Sequence, residues 1–136
     1  FGIGLGEIGT IPAAAGGISE GPGWWAARDA IDHVHALAER TAPRARTWIV
    51  AAADASADTH RRIATSNAYA LARDELVGAM NERARRLTYG RCVGTRQSEL
   101  ATAEGITQSA VSQALAAAGS AAIVQGFVLL REQAVT

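Results

Sequence analysis

One segment, residues 95–115, constrains the fold more than any other part of this sequence. It reads TRQSELATAEGITQSAVSQAL. A first helix with Leu100 and Ala101, a turn at Gly105 and a second helix after Thr107 are the parts of a helix-turn-helix. Glycine suits the turn because it adopts positive φ without steric cost, and the Thr107 hydroxyl can cap the second helix. The segment therefore predicts a helix-turn-helix.

The second helix of this motif is expected to have two different faces. Its apolar side chains are spaced to meet those of the first helix and the turn in one small core, which would hold Leu100, Ile106, Val111 and Leu115. The other face carries uncharged polar side chains, namely Gln108, Ser109, Ser112 and Gln113. Glutamine pairs with adenine through two hydrogen bonds, and serine bonds bases or phosphates. We therefore expect this face to read base edges of double-stranded DNA.

Further side chains around the motif are expected to contact DNA phosphates. Hydroxyl and guanidinium groups suit such contacts, and the candidates are Thr95, Arg96, Thr107 and Arg86. Arg86 belongs to a cluster that precedes the motif, with Arg83, Arg85 and Arg91. Two interpretations of this cluster stay open: cations that favour the end of a helix dipole, and a clamp on phosphates.

One residue of the motif is unusual, and one simpler interpretation competes with DNA binding. Glu104 stands directly before Gly105, where an apolar residue is typical, which predicts a looser junction or a carboxylate turned to solvent. An ordinary helical hairpin within a protein core would also explain the apolar positions. It would not explain why the opposite face is polar and yet uncharged.

Composition favours a globular chain whose DNA contacts depend on a few local arginines. Hydrophobic residues make up 49% and charged residues 19% of the sequence, which excludes a disordered chain. The net charge is zero and every basic residue is arginine, so the molecule as a whole does not attract DNA. No apolar run is long enough to predict a membrane span. With a single cysteine and no secretory signal, a cytoplasmic protein is expected.

Periodicity along the chain predicts a mainly α (α+β) protein. The expected elements are a buried strand at 1–8, a long loop at 9–23, a helix at 24–40, a strand at 47–52, a long helix at 59–87 and a last helix at 121–133. Asn67 and Asp74 interrupt the apolar line of the long helix. The expected domains are a small, incomplete α/β piece at 1–58, a connecting helix at 59–90 and the helix-turn-helix domain at 91–136.

The first half has only two predicted strands, and a two-stranded sheet is marginal alone. We therefore expect either that earlier strands are missing or that the sheet edges pair with another chain.

The blocks FGIGLGEI and GPGWWAARDAI, followed by the helix-turn-helix with its QSAVSQ core, resemble the C-terminal two-thirds of the SatD family of bacterial proteins. This resemblance implies a cyclase-like α/β domain joined to a DNA-binding domain, and a transcriptional regulator. The acidic turn and hairpin of that family are not in this sequence, so no metal-binding or nucleotide-binding residue is carried over.

Weaker patterns in the sequence do not predict a cofactor or a metal. Gly4, Gly6 and Gly9 match a dinucleotide fingerprint, but no helix begins within that turn, so a glycine-flexed strand is preferred. His33 and His35 are two residues apart and would point to different faces of a helix, which disfavours a shared metal.

Two apolar features are expected to serve packing or association. The Trp24–Trp25 pair at the start of a helix is interpreted as core or as a dimer contact. The last helix is strongly apolar at Ile123, Phe127 and their neighbours, which would close the helical core or form a dimer seam. A homodimer is expected because helix-turn-helix proteins commonly read two half-sites.

The sequence therefore predicts a sequence-specific DNA-binding regulator that uses the helix at 107–116, has no cofactor and is not an enzyme. Two alternatives stay open. The first is a non-catalytic scaffold that uses the helical domain for protein contacts, which the neutral charge and the apolar last helix favour. The second is a nucleotide sensor that acts through a missing N-terminal half.

Overall fold

A computed structural model of the chain describes residues 1–14 and 16–133, and it is mostly helical. The elements within these residues are β1 (Gly2–Leu5), β2 (Gly9–Ala13), β3 (Gly16–Glu20), α1 (Pro22–Arg40), β4 (Trp48–Ala51), α2 (Ala57–Ala79), α3 (Glu82–Cys92), α4 (Gln97–Glu104), α5 (Gln108–Ala117) and α6 (Ser120–Gln133). The predicted mainly α architecture with a small α/β piece is confirmed. Residues 134–136 of the predicted last domain lie outside the described residues.

The chain forms two compact units, Phe1–Glu75 and Leu76–Thr136, here named the N-terminal unit and the C-terminal unit. The boundary between them falls inside α2, whereas the sequence suggested divisions after residues 58 and 90. Helix α3 groups with the helix-turn-helix because its Leu87 is fully buried in the same core as side chains of α4 and α5. The predicted connecting helix is therefore not a separate element.

In the N-terminal unit, α1 connects two parallel strands and packs with its backbone against one of them. Strands β1 and β4 pair in register from Gly2 opposite Trp48 onward. A Cβ atom added to Gly4 would lie 2.2 Å from the carbonyl oxygen of Gly23 on α1. The alternating glycines therefore provide space for the helix, because any larger residue would push it away. Strand β1 is not the buried strand that we expected, since Ile3 and Leu5 are each 45% exposed.

A β-hairpin replaces the loop predicted for residues 9–23. Strands β2 and β3 pair antiparallel, from Gly9 opposite Glu20 to Ala13 opposite Gly16. The prediction was wrong because glycine, alanine and proline are uncommon in strands, while the pairing itself uses backbone groups that almost every residue carries.

The outer edge of β4 is bonded by a side chain of α2 instead of by a third strand. The Asn67 amide accepts a hydrogen bond from the backbone N–H of Ile49 and donates one to its carbonyl oxygen, both at 2.9 Å. Two turns further along α2, the Asp74 carboxylate accepts bonds from the backbone N–H groups of Arg46 and Thr47, at 2.7 and 2.9 Å. Both α2 side chains are buried. They interrupt the apolar line of the helix because they satisfy backbone groups of the neighbouring segment.

The long helix predicted for residues 59–87 is two helices. Helix α2 ends at Ala79, and α3 begins after Asn81, whose side chain accepts a hydrogen bond from the backbone N–H of Ala84 at 2.9 Å. Asparagine is a strong N-cap residue because its short side chain reaches the free N–H groups of the first helical turn. The continuous apolar spacing across the break concealed this signal.

We predict that Asn67→Ala destabilises the N-terminal unit by about 1–3 kcal/mol, because it removes the side-chain partner of two partly buried backbone groups of Ile49. All three tryptophans lie in this unit. Urea unfolding followed by tryptophan fluorescence therefore measures the change. Thr65→Ala is the control, since its hydroxyl is exposed on the same helix and donates to the carbonyl of Arg61, one turn earlier on that helix. Equal unfolding midpoints for the two variants would contradict the edge role of Asn67.

We also predict that Gly4→Ala destabilises the N-terminal unit by about 1–3 kcal/mol or more, because α1 must move to admit the new methyl group. The same fluorescence assay reports the loss. Gly9→Ala is the matched control, since a Cβ there would meet its nearest atom at an ordinary 3.6 Å. A Gly4→Ala variant as stable as Gly9→Ala would show that backbone contact between α1 and β1 is not required.

Candidate nucleic-acid interface

The turn between α4 and α5 has the geometry that the sequence predicts. Gly105 adopts the left-handed conformation, with φ 64° and ψ 35°. The backbone N–H of Ile106 bonds the carbonyl of Ala101 at 3.0 Å and so closes the end of α4. The Thr107 hydroxyl oxygen accepts a bond from the backbone N–H of Ala110 at 3.1 Å and so caps α5. The start of α5 is therefore fixed by local bonds on both sides of the turn.

A small apolar core holds α3, α4 and α5 together. Its buried members are Leu87, Leu100, Ala101, Val111 and Leu115, with Ile106 and Ala114 packed against them. Gly90 on α3 allows this approach, because a Cβ there would lie 2.5 Å from Leu100 Cδ2. The predicted core of Leu100, Ile106, Val111 and Leu115 is thus present, and Leu87 is an addition that the motif alone does not indicate.

A buried hydroxyl pair links α3 to the start of α6. Thr88 Oγ1 and Ser120 Oγ are 2.6 Å apart, and Thr88 also donates to the carbonyl of Ala84 at 2.7 Å. Ile123 of α6 joins Met80 and Ala84 in a second buried cluster. One face of α6 therefore closes the helical core, which is one of the two roles that the sequence predicts for this helix. Its other side leaves Leu129 59% exposed.

The packing of α5 leaves its uncharged polar face in solvent. Val111 and Leu115 point into the core, while Gln108, Ser109, Ser112 and Gln113 are all exposed. Among the described residues, the structure gives these four side chains no intramolecular hydrogen bond. Such a surface has both donors and acceptors available for an external partner.

The side chains expected at phosphates are placed in different ways. Arg96 is exposed at the start of α4, and its backbone N–H donates to the Glu99 carboxylate at 3.0 Å. Thr95 is half-buried. Its backbone N–H donates to the carbonyl of Gly90, and its own carbonyl accepts a hydrogen bond from Arg91 Nη1. Thr107 is exposed and caps α5 through its oxygen, which leaves its O–H free to donate.

Arg86 has a partner that the sequence analysis did not assign to it. Its Nε and Nη2 atoms donate to the two carboxylate oxygens of Glu104, at 2.6 and 2.8 Å, and Arg83 lies 3.4 Å from the same group. The Glu104 side chain is only 13% exposed, so it is not turned to solvent as we expected. The hydrogen bond from Arg86, supported by the charges of Arg86 and Arg83, lowers the pKa of Glu104. A charged residue at this motif position is explained by the arginines on α3 that neutralise it.

A cleft flanks the polar face of α5. This α5–α6 cleft has a volume of about 300 Å³, and four of its polar side chains come from four helices: Arg91 of α3, Gln97 of α4, Ser112 of α5 and Gln125 of α6. The sequence analysis did not assign a role to Gln125. The available signal was a single amide within the otherwise apolar stretch of α6.

The N-terminal unit has two clefts beside Trp25, with volumes of about 390 and 510 Å³. Gly4 and Gly6 of the predicted glycine pattern lie against the start of α1, which begins only after the hairpin. Trp24 and Trp25 are about half exposed, so they do not belong to the core. A place in the core was one of the two interpretations of this pair, the other being a dimer contact. His33 stacks on Trp48 with ring centroids 4.3 Å apart. In the described part of the chain, no three side chains of the metal-ligating kinds come together.

None of the described helices is by itself long and apolar enough to cross a membrane. Helices α5 and α6 together meet the test only as a pair bent by 79°.

No protein-family model, no curated protein and no solved structure matches this chain. The resemblance to the SatD family therefore stays a prediction.

We predict that Glu104→Gln lowers the melting temperature at pH 7 and that this difference narrows in acid. Because the pKa of Glu104 is lowered in the folded state, its contribution is complete above about pH 5 and is lost as pH falls through the folded pKa. Circular dichroism melts from pH 7 to pH 3 measure the effect. An Arg86→Gln variant and the double variant complete the cycle, in which the pair should be non-additive at pH 7. A difference that is constant with pH would exclude the ion pair as its cause.

Proposed function

We propose that this chain is a sequence-specific DNA-binding protein, a transcriptional regulator that reads the major groove with α5. The observation that carries the proposal is the polar face of α5: four exposed, uncharged side chains on a helix whose opposite face is fixed in a core. A recognition helix needs both properties, because base edges are read by hydrogen bonds at defined positions. An ordinary surface helix needs neither a fixed orientation nor the absence of charge.

In this proposal, residues at the starts of α4 and α5 bind the DNA backbone. Arg96 and Thr95 at the start of α4, and Thr107 at the start of α5, contact phosphates and set the register of the helix in the groove. Arg86 is less available for a phosphate contact, because a phosphate would compete with Glu104, which already accepts two hydrogen bonds from this guanidinium.

The proposed partner of the DNA-bound chain is a second copy of itself. Two half-sites one helical turn apart raise the affinity of a dimer far above that of one copy. Exposed apolar side chains that could serve such an association are present in both units, among them Trp25 in the first and Leu129 in the second. We propose no cofactor and no catalytic activity for this chain.

A second candidate function is a non-catalytic scaffold that uses its apolar surfaces for protein contacts. The observation that favours it is the number of large apolar side chains left exposed, which include Phe1, Ile8, Ile18, Trp24, Trp25 and Leu129. Exposed apolar patches often mark contact sites. Salt separates the two functions, because binding to DNA weakens steeply with salt and apolar association does not.

The proposal predicts that the full chain enriches one DNA motif from a pool of randomised duplexes and that Gln108→Ala changes the base preferred at one position. The loss of one bidentate contact costs about 1–3 kcal/mol of discrimination at that base pair. Sequencing of the bound duplexes, followed by titration of the enriched site and its single-base variants, measures both effects.

Thr65→Ala serves as the control in this selection, since its exposed hydroxyl belongs to the N-terminal unit and is not part of the motif. The double variant Gln108→Ala/Gln113→Ala should lose the motif. An enriched motif that survives in the double variant would show that α5 does not read the bases. Absence of any enrichment by the wild type would favour the scaffold, and calorimetry with nucleotides would then test the sensor alternative.

A further inference from the structure

The α5–α6 cleft adjoins the proposed reading face and has its own polar lining. Ser112 belongs to both, because it is exposed on the polar face of α5 and also lines the cleft. A DNA duplex that brings its base edges to Ser112 must bring a sugar-phosphate strand to one side of α5, since the backbones border the groove on both sides. The cleft is therefore continuous with the surface where a backbone would run.

The lining of the cleft suits an anion. It contains one cation, Arg91, and the amides of Gln97 and Gln125, each of which supplies N–H donors. Among the residues that the structure describes, no carboxylate lines it. The cleft is also lined by the exposed small residues Ala116 and Ala121, which admit a close approach, and by Leu115, Ser120 and Val124.

Arg91 is held in position and has no carboxylate partner among the residues that the structure describes. Its Nη1 donates to the backbone carbonyl of Thr95 at 2.6 Å, which uses one of the five N–H donors of the guanidinium. The bond also ties the end of α3 to the segment that leads into α4. Arg83 and Arg86, in contrast, both face the Glu104 carboxylate. Arg91 is thus an oriented cation with donors to spare.

We propose that the α5–α6 cleft binds a phosphate of the DNA backbone, with Arg91 as the charged donor and Gln97 and Gln125 as neutral donors. The inference rests on the proposed function and adds three residues, Arg91, Gln97 and Gln125, to the proposed DNA contacts. The phosphate fixes the position of α5 along the groove. It carries no sequence information, because phosphates are alike at every base pair.

The test titrates the full chain against its enriched duplex by fluorescence anisotropy over a range of salt concentrations. Arg91→Gln should weaken binding about three- to tenfold at low salt and reduce the slope of log K against log salt by about 0.9, the value for one phosphate contact. Arg85→Gln is the matched control. It removes the same charge from α3, six residues earlier, at a side chain that bonds the carbonyl of Val77 and does not line the cleft.

A second pair of variants changes Gln125, which is exposed on α6. Gln125→Glu places a carboxylate in the cleft and should weaken binding strongly at low salt and much less at high salt. Gln125→Leu removes the donors without adding charge and should have a small effect that does not depend on salt. The selected DNA motif should be unchanged in every variant.

The outcomes separate this inference from the proposed function. If the wild type binds its motif while Arg91→Gln and Gln125→Glu keep wild-type affinity and salt slope, the cleft lies outside the interface and only this inference fails. If either variant changes the selected motif, its side chain reads a base and the phosphate assignment is wrong. If the wild type binds no DNA, the proposed function fails and the inference fails with it.

Discussion

The direction in which α5 faces depends on one small core. Leu87 and Val111 are completely buried there, and both neighbouring helices contribute side chains to the same cluster. Because Val111 fills the inside of α5, residues one and two positions away along the helix must lie on its flanks or outside. The exposure of Ser112 and Gln113 is thus a consequence of the burial of Val111. A cavity at this core would loosen the polar face as well, which couples stability of the C-terminal unit to any reading of DNA.

The N-terminal unit depends on a different constraint, because its parallel sheet has only two strands and needs support from other elements. A two-stranded parallel sheet has two free edges and two faces to cover. Here α1 covers one face by lying directly on the glycines of β1, and Asn67 takes the place of a strand at the outer edge of β4. Ile3 and Leu5 stay half exposed on the other face. The helices therefore supply part of what neighbouring strands supply in a larger sheet.

Sequence reasoning succeeded where structure is set by neighbours along the chain and failed where it is set by distant ones. The turn at Gly105 and the cap at Thr107 follow from local chemistry, and the structure has both. The hairpin at residues 9–20 depends on cross-strand backbone bonds that side-chain patterns do not reveal. Glu104 was judged against its motif alone, although its partners lie 18 and 21 positions earlier, on α3.

The same distinction holds for polar residues in helices. Asn67 and Asp74 counted against a regular α2 in the sequence, because they break its apolar line. In the structure they are buried contacts to Ile49, Arg46 and Thr47. A buried polar residue in a helix can thus be the clearest sign of a backbone that lies beside it. Which backbone it bonds is visible only once the fold is known.

If DNA binding is the function, as proposed, the pairing of Arg83 and Arg86 with Glu104 limits the cations available for it. Of the arginines on α3 and at the start of α4, Arg85, Arg91 and Arg96 have no carboxylate partner among the described residues. Of these three, the proposal places Arg91 and Arg96 at phosphates, and two such cationic contacts would give a salt slope of only about −2 for each copy. Under the proposed function, non-specific binding would draw on the same contacts and would be weak as well. The proposed regulator would therefore depend on base contacts and on a second copy for its affinity, and it would gain selectivity because non-specific sites in the genome compete poorly for it.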